Sequence, residues 1–368
     1  MKLKTITDPT ITSVECEPTI VPPRDWGSDP AEEVIPLPPF WTRSPELSER
    51  SRVRPIRRNL VYRAIYLLGW LALKLGIRRA VHLALRLAKV GFWVQRRESR
   101  VVIQNLENCF GKELTDVERE CVAEKVYSHV CVSFAETVWM SRWKELRNWL
   151  EFEFDGWENL EVALAEGKGV ICPNGHFGNW EVMCAVVAQL GYPGYIVARY
   201  LREPRLEDWL NRVRQNLGVR VITRGREPIR LVRILRQGGI LGVMIDLDTH
   251  SGRGIFVDFF GRPAYTQVGP FVLARRTGAA IVPALCYREG LNRLRFHFGK
   301  PWHVEVTEDS HRDIQLAAQR ATTYLEQRIR ERPEQWMWFH KRWKTTPERV
   351  ARNGERSLRK KGGNTASE

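Results

Sequence analysis

The sequence has few of the patterns that would assign it to a well-marked class. Its seven cysteines form no CxxC pair and no cysteine–histidine cluster with zinc-ligand spacing, so we expect reduced thiols in a cytoplasmic setting and no metal site. No Walker or dinucleotide-binding glycine pattern is present, and no internal repeat is found. The first thirty residues contain several prolines and no continuous apolar core, so no signal peptide is predicted.

Acidic side chains are nearly missing from residues 52–100. This stretch holds thirteen Lys and Arg residues against one acid, Glu98, interleaved with large apolar side chains. The formal net charge of the 368 residues is +15; residues 1–50, with nine acidic and five basic side chains, contribute −4, so the remainder contributes +19. This high positive charge outside residues 1–50 predicts an anionic partner. The candidates are nucleic acid, an acidic protein and an anionic membrane surface.

A long uninterrupted apolar run is also absent. Residues 64–73 are uncharged but only ten residues long, whereas a membrane-spanning helix needs about 20 predominantly apolar residues. Extension to residues 60–77 gives eighteen, with Arg63 and Lys74 near the ends, and residues 80–94 place further cations among leucines and valines. The pattern favours a short membrane-dipping helix followed by an interfacial one. A single span, or a core helix pair with a solvated basic face, remains open.

Composition divides the chain into four regions. Residues 1–50 hold nine of the twenty prolines, so residues 1–55 predict a disordered or extended arm. Residues 56–98 predict basic membrane-associating helices, residues 99–345 an α/β domain and residues 346–368 a disordered basic tail. Within the domain, Thr115 and Glu118 have the spacing of a helix capping box.

Beyond residue 151, apolar strand-like runs alternate with helical patterns. This alternation predicts an α/β fold in which crossover helices flank a central mixed sheet, after a helical N-terminal membrane-associating region. Strands are expected at residues 169–173, 195–199, 220–223, 240–245, 280–287 and 294–298, and helices at 182–190, 205–217, 228–237, 268–277 and 313–332.

The main candidate for chemistry is the segment NGHFGNWE at residues 174–181, an HX4E motif at a strand-to-helix junction. If the helix begins at residue 177, Glu181 lies about one turn on from His176 and reaches back to the imidazole. A carboxylate on one ring nitrogen fixes the tautomer and leaves the other nitrogen to accept a proton from a hydroxyl. Chance proximity of the two residues is the alternative reading of the motif alone.

Several further motifs accompany this segment in a recognisable order. They are RVVIQNLENCF at 100–110, RQNLG at 214–218, GVMID at 242–246, FFGRPA at 259–264 and PEQWMW at 333–338. Together with NGHFGNWE, they resemble the bacterial lipid A biosynthesis acyltransferases of the lauroyl/myristoyl type over residues 60–344. The family's frequent glutamine after the aspartate is replaced by Leu247, and residues 1–55 have no counterpart that we identify.

The resemblance implies a glycerolipid acyltransferase-like fold and an O-acyltransferase at the cytoplasmic face of the inner membrane. The enzyme would move a fatty acyl chain from acyl carrier protein, or from coenzyme A, onto a hydroxyl of a lipid A precursor in lipopolysaccharide biosynthesis. No cofactor or metal is implied beyond this acyl co-substrate. His176 would be the general base and Glu181 its partner.

The resemblance also marks three candidates for substrate binding. Arg214 would hold a substrate phosphate or polarise the thioester carbonyl, and Arg199, at a strand end, is a second candidate phosphate clamp. Asp246 ends a strand at the presumed catalytic edge and would orient an arginine. For each of the three, an ordinary structural or solvated side chain is the competing interpretation.

Two classes of alternative function remain open. The same residues could acylate another lipid, such as a lysophospholipid, an ornithine lipid or a phosphatidylinositol mannoside. Alternatively, the chain is a non-catalytic membrane-binding protein; nucleic-acid binding fits poorly because the cations accompany long aliphatic runs. The aromatic segment at residues 336–343 is interpreted as core-capping or interfacial, and its His340 is given no catalytic role.

Overall fold

The computed structural model describes residues 24–27, 35–39, 55–201, 203–225, 227–249 and 254–352. The first part of the continuous body is helical, with α1 (Pro55–Leu75), α2 (Ile77–Val94), α3 (Arg96–Phe110), α4 (Asp116–Trp139) and α5 (Trp143–Trp149). At the start of α4 the Thr115 hydroxyl accepts from the backbone N–H of Glu118, whose carboxylate accepts from the backbone N–H of Thr115. The predicted capping box is confirmed.

Strands and helices alternate after α5, as the sequence predicts. The elements are β1 (Glu151–Asp155), α6 (Trp157–Ala165), β2 (Val170–Asn174), α7 (Trp180–Gln189), β3 (Gly194–Ala198), α8 (Pro204–Asn216), β4 (Arg220–Thr223), α9 (Pro228–Arg236), β5 (Ile240–Met244), β6 (Gly254–Phe259), β7 (Arg262–Gln267), α10 (Gly269–Thr277), β8 (Ala280–Ile281), β9 (Ala284–Arg288), β10 (Arg293–Phe298) and α11 (Ser310–Glu331).

These strands form three sheets flanked by helices, and the expected α/β class is confirmed. The largest sheet is parallel, in the order β4-β3-β5-β2-β8, and β2 is buried along its whole length. A second sheet of order β1-β10-β9 mixes a parallel and an antiparallel pairing, and β6 and β7 form an antiparallel hairpin. The carboxyl ends of β2 and β5 therefore meet at one edge, where ligands collect in open α/β sheets.

The strand prediction needs correction in one place and omits three strands. The single strand expected at residues 280–287 is two strands, β8 pairing with β2 and β9 with β10, interrupted at Val282 and Pro283. Proline has no N–H to donate to a ladder, which suits it to the gap between two strands. The sequence reading also missed β1, β6 and β7, of which β7 contains Pro263 at its second position.

Helices α1 and α2 present a surface that is both apolar and basic. The largest exposed apolar side chains on these helices include Trp70 on α1 and Val90, Trp93 and Val94 on α2. The cations Arg86 and Lys89 of α2 are exposed as well. No helix in the described ranges is apolar over a long enough stretch to cross a membrane.

Two short parts of the predicted N-terminal arm lie against the body; the rest of it, and residues 353–368 of the predicted tail, are outside the described residues. Arg24 donates two hydrogen bonds to Glu161 of α6, at 3.0 and 2.9 Å. Further along the arm, Leu37 is only 5% exposed, and the backbone carbonyls of residues near it accept hydrogen bonds from two helices. The Trp209 indole of α8 donates to the Ile35 carbonyl at 3.1 Å, and the Tyr62 hydroxyl of α1 donates to the Pro38 carbonyl. Residues 35–39 thus link α1 to α8.

Leu37 occupies a notch in α1 that exists because residue 69 is glycine. A Cβ added at Gly69 would lie 2.3 Å from Leu37 Cδ1. We expect Leu37→Ala to lower the free energy of unfolding by about 2 kcal/mol, because a buried leucine is truncated. Gly69→Val should also destabilise the protein, and the double variant should lose less than the sum of the two, since both changes vacate one contact. Urea unfolding measures all three.

The matched control is Gly91→Ala in α2, where an added Cβ meets only ordinary contacts at 3.7 Å or beyond. Alanine is favoured over glycine inside a helix by up to about 1 kcal/mol, so this variant should be neutral or slightly more stable. Strict additivity of the Leu37 and Gly69 changes would contradict the notch.

Candidate active site

His176 and Asp246 meet because their strands are neighbours. Strands β2 and β5 are parallel and their last residues, Asn174 and Met244, are paired in register, so each candidate lies two residues beyond its strand end. The His176 Nδ1 lies 2.9 Å from Asp246 Oδ1, and the backbone N–H of His176 donates to Asp246 Oδ2 at 2.7 Å. The same carboxylate thus accepts from both the backbone and the ring of His176. Because an ionised carboxylate can only accept, Nδ1 is the protonated ring nitrogen.

Asp246 is a buried anion, and both of its carboxylate oxygens accept hydrogen bonds. Its Oδ2 also accepts from the Trp336 indole N–H at 2.8 Å. Burial alone would raise the pKa of Asp246, but the adjacent His176, through its ring and its two hydrogen bonds, holds it well below its usual range. The carboxylate therefore stays charged at neutral pH and fixes the tautomer of the imidazole.

The other ring nitrogen of His176 is the one available for chemistry. Within the described part of the chain, Nε2 makes no hydrogen bond, and the side chain is 19% exposed. Burial lowers the pKa of His176, but the Asp246 charge and hydrogen bond, with a smaller contribution from Glu181, outweigh it and raise the pKa above 6.5. A buried imidazole made more basic in this way is suited to accept a proton.

The loop that carries His176 depends on a glycine. Gly178 has φ +62°, and a Cβ there would lie 1.5 Å from the Cys286 carbonyl oxygen. The next residue, Asn179, caps α7 by accepting from the backbone N–H of Val182 at 3.2 Å. The helix therefore begins at Trp180. This is three residues later than the start at residue 177 on which the expected contact between Glu181 and His176 depends.

This later start directs Glu181 away from the imidazole. Its carboxylate forms a two-pronged ion pair with Arg214 of α8, with Arg214 Nε 2.9 Å from Oε2. No hydrogen bond joins Glu181 to His176. The expectation that Glu181 is the direct partner of His176 is therefore corrected: that partner is Asp246. Arg214 is buried, and although burial lowers its pKa, Glu181 raises it, so the guanidinium stays charged.

The two remaining candidates differ from expectation in different ways. Asp246 hydrogen-bonds His176 and Trp336, whereas the sequence predicts that it orients an arginine. Arg199 follows the last residue of β3 and is exposed, at the same sheet edge as His176. No hydrogen bond or ion pair ties Arg199 to another described residue, so its guanidinium is free to meet a ligand.

A second set of buried polar residues supports the loop from behind, and sequence reasoning missed it. Glu136 of α4 is fully buried and accepts from the Asn179 amide at 2.6 Å and from Arg288 of β9. The Gln335 carbonyl accepts from the backbone N–H of Gly178 at 3.0 Å. These partners are distant in the sequence, Glu136 lying 43 positions before Asn179, and no local spacing links them to the HX4E motif.

The aromatic segment at residues 336–343 lies in the core beside this loop. Trp336 and Trp338 are almost fully buried, and the backbone N–H of Met337 donates to the His176 carbonyl at 3.0 Å. Asn105 of α3 donates to the carbonyls of Trp338 and His340, at 2.7 and 3.2 Å. The segment is thus held beside the His176 loop from both sides.

Comparison with known proteins places the chain among acyltransferases. A family model described as bacterial lipid A biosynthesis acyltransferase matches residues 50–345. The lipid A biosynthesis lauroyltransferase of Escherichia coli (strain K12) is 28% identical over 288 residues, 76% of this chain and 90% of that protein. The lipid A biosynthesis palmitoleoyltransferase of the same strain is 27% identical over 263 residues, 69% of this chain and 81% of that protein.

A relative with a different acceptor in its name also matches. The phosphatidylinositol mannoside acyltransferase of Mycobacterium tuberculosis (strain ATCC 25618 / H37Rv) is 28% identical over 207 residues, 54% of this chain and 62% of that protein. The match thus spans less than two thirds of that protein.

Proposed function

Because the chain belongs to the bacterial lipid A biosynthesis acyltransferase family, we propose that it transfers a fatty acyl chain from acyl carrier protein to a hydroxyl of a lipid A precursor. Family membership makes the chain an O-acyltransferase that acts on a lipid. The finer assignment of donor, acceptor and residue roles is our proposal. The observation that carries it is the His176–Asp246 pair with its open Nε2.

The proposed reaction uses His176 as a proton shuttle. Nε2 takes the proton of the acceptor hydroxyl as its oxygen attacks the thioester carbonyl carbon, and the carbonyl electron pair moves onto oxygen. When the tetrahedral intermediate collapses, the C–S bond breaks, the thiolate takes the proton back from Nε2, and an ester and a free thiol result. Asp246 stabilises the imidazolium in between, because its buried charge lies against Nδ1–H.

Glu181 supports this base from a distance in the proposal. Burial lowers the pKa of His176; the Glu181 charge helps Asp246 to raise it and has the smaller effect of the two, while the Glu181 oxygens are occupied by Arg214. The pair also ties the first turn of α7 to α8. Arg214 is therefore assigned to the support of Glu181, and the free, exposed Arg199 to a phosphate of the substrate.

The proposed setting is the cytoplasmic face of the inner membrane. Exposed Trp93 and Val94 lie on the same helix as the cations Arg86 and Lys89, a combination that suits the boundary between acyl chains and anionic headgroups. The charge of +19 outside residues 1–50 also suits an acidic carrier protein.

Vesicle co-sedimentation tests the membrane assignment. The protein should bind vesicles containing phosphatidylglycerol more tightly than vesicles of phosphatidylcholine alone, and a Trp93→Ser/Val94→Ser variant should bind less. If the variant kept its fold by circular dichroism and bound the vesicles as tightly as the unaltered protein, α2 would not be part of the membrane-binding surface.

Transfer by the purified protein tests the reaction itself. Donors are acyl carrier protein and coenzyme A thioesters of several chain lengths, and acceptors are diphosphorylated glucosamine lipids. We expect ester formation with the carrier-protein donor, detected by mass spectrometry. Transfer only from coenzyme A would overturn the donor, and no transfer to any glucosamine lipid would overturn the acceptor.

A second acceptor class is favoured by one observation, the match to a phosphatidylinositol mannoside acyltransferase. The same His176–Asp246 pair would serve it unchanged, since only the hydroxyl differs. Phosphatidylinositol mannosides therefore belong in the acceptor panel, and preferential acylation of them would replace the lipid A assignment.

A further inference from the structure

His340 lies against the catalytic histidine, although the two are far apart in the sequence. Its ring centroid is 4.8 Å from that of His176, with an interplanar angle of 67°. Asn105 fixes the backbone at this point by donating to the carbonyls of Trp338 and His340. The position of the His340 ring is thus determined by α3 and by the segment that supplies Trp336 to Asp246.

The Nε2 atom of His340 is buried and has no hydrogen-bond partner among the described residues. Buried polar atoms in folded proteins are almost always paired, and the exceptions call for an explanation. Beside a reacting centre, the explanation is a partner that arrives with the substrate. Burial also lowers the pKa of His340 to about 4, against the opposing effect of Asp246, so the ring is neutral at neutral pH.

The loop itself has few donors left for the reaction. The backbone N–H groups of residues 175, 176, 178 and 179 donate to the side-chain oxygen of Asn174, to Asp246 and to the carbonyls of Gln335 and Cys286. A tetrahedral intermediate at Nε2 of His176 needs a donor for the negative charge that forms on the carbonyl oxygen. Four of the five loop N–H groups are committed elsewhere, which leaves only that of Phe177 within the loop, so a side chain at the site is the natural further donor.

We propose that His340 is a second catalytic histidine, whose neutral Nε2–H donates a hydrogen bond to the thioester carbonyl oxygen as it becomes an oxyanion. The inference rests on the proposed acyl transfer and adds a residue to it. His176 and His340 have separate tasks. His176 is paired with Asp246 and exchanges the proton, while His340, to which no described carboxylate is hydrogen-bonded, stays neutral and only donates.

Three substitutions separate hydrogen bonding from packing. His340→Phe keeps a ring against His176 but removes the donor, His340→Gln replaces the ring by an amide whose N–H reaches a similar position, and His340→Ala removes both. We expect Phe and Ala to lower kcat roughly 100-fold with KM within about twofold, as for loss of an oxyanion donor, and Gln to stay within roughly tenfold of the unaltered enzyme. The acid limb of the pH profile should be unchanged in His340→Gln, because the native ring is neutral over that range.

Wild-type kinetics on the acceptor panel are measured first, with whichever donor and lipid the enzyme uses. Absence of transfer by the wild type would contradict the proposed function, whereas the ratios among the three variants test His340 on any accepted substrate. Thermal melts confirm folding. Near-normal kcat in His340→Phe, or equal losses in all three folded variants, would overturn the proposal.

Discussion

His176→Ala is expected to lower kcat about a thousandfold and also to lower thermal stability, because the buried Asp246 carboxylate loses its imidazole partner. General base catalysis contributes about 10²–10⁴ in rate, and Nε2 is the free nitrogen of an imidazole whose other nitrogen is bound to a buried carboxylate. Binding and positioning of the acyl thioester would survive the substitution, so a residual rate should remain. Steady-state kinetics with the preferred donor and acceptor measure the loss.

The matched control is His311→Ala, a histidine exposed on the first turn of α11. Its removal should leave kcat and KM unchanged. If His176→Ala kept full transfer in the same assay, His176 would not be the base and the proposed mechanism would fail.

Asp246→Asn is the second substitution with a large expected effect, about 10³-fold on kcat. Three donors converge on this carboxylate: the His176 N–H, the His176 ring and the Trp336 indole. An amide presents one acceptor and one donor group, so at least one of the three would face another donor. The imidazole would then lose its fixed tautomer. The same happens when the orienting carboxylate of a Ser-His-Asp triad is replaced by an amide.

The pH dependence of kcat/KM in Asp246→Asn gives a second test, which does not depend on the size of the loss in kcat. The base must be neutral, so kcat/KM of the native enzyme should rise with pH through the pKa of His176, which lies above 6.5. Asp246 raises that pKa, and its neutralisation should therefore move the rising limb to lower pH. A limb that stays in place would mean that another group controls it.

Glu181→Gln is the comparison that distinguishes the two carboxylates. It breaks the buried pair with Arg214 and leaves that cation uncompensated, which costs about 3–5 kcal/mol of stability. We therefore expect Glu181→Gln to lower the melting temperature more than Asp246→Asn and kcat less. If Glu181→Gln instead matched the kinetic loss of Asp246→Asn at unchanged stability, Glu181 would be the direct partner.

The parts of the fold that local chemistry determines could be predicted from the sequence. The capping box at Thr115 depends on two side chains three residues apart, and the apolar runs predict strand ends at residues 173 and 245, each within one residue of the ends at Asn174 and Met244. Both His176 and Asp246 were therefore assigned to the sheet edge. Their direct contact was not predicted, because it depends on the pairing of β2 with β5.

The partner of His176 was misassigned because the HX4E spacing was interpreted as helical. The structure uses Gly178 with positive φ and Asn179 as a cap, so the loop continues to residue 179. Neither residue type alone distinguishes a helix start at 177 from one at 180. Glu136 and His340 were beyond sequence reasoning for another reason, since tertiary packing brings them to the loop.

Leu37 and its notch at Gly69 lie on opposite sides of residue 50, where the family match begins. Leu37 therefore lies outside the family match, while Gly69, which receives it, lies inside the match. A chimaera that received α1 alone would carry an unfilled notch in its first helix. Residues 35–75 should accordingly be exchanged between relatives as one unit, and a truncated protein for crystallisation should start before Ile35.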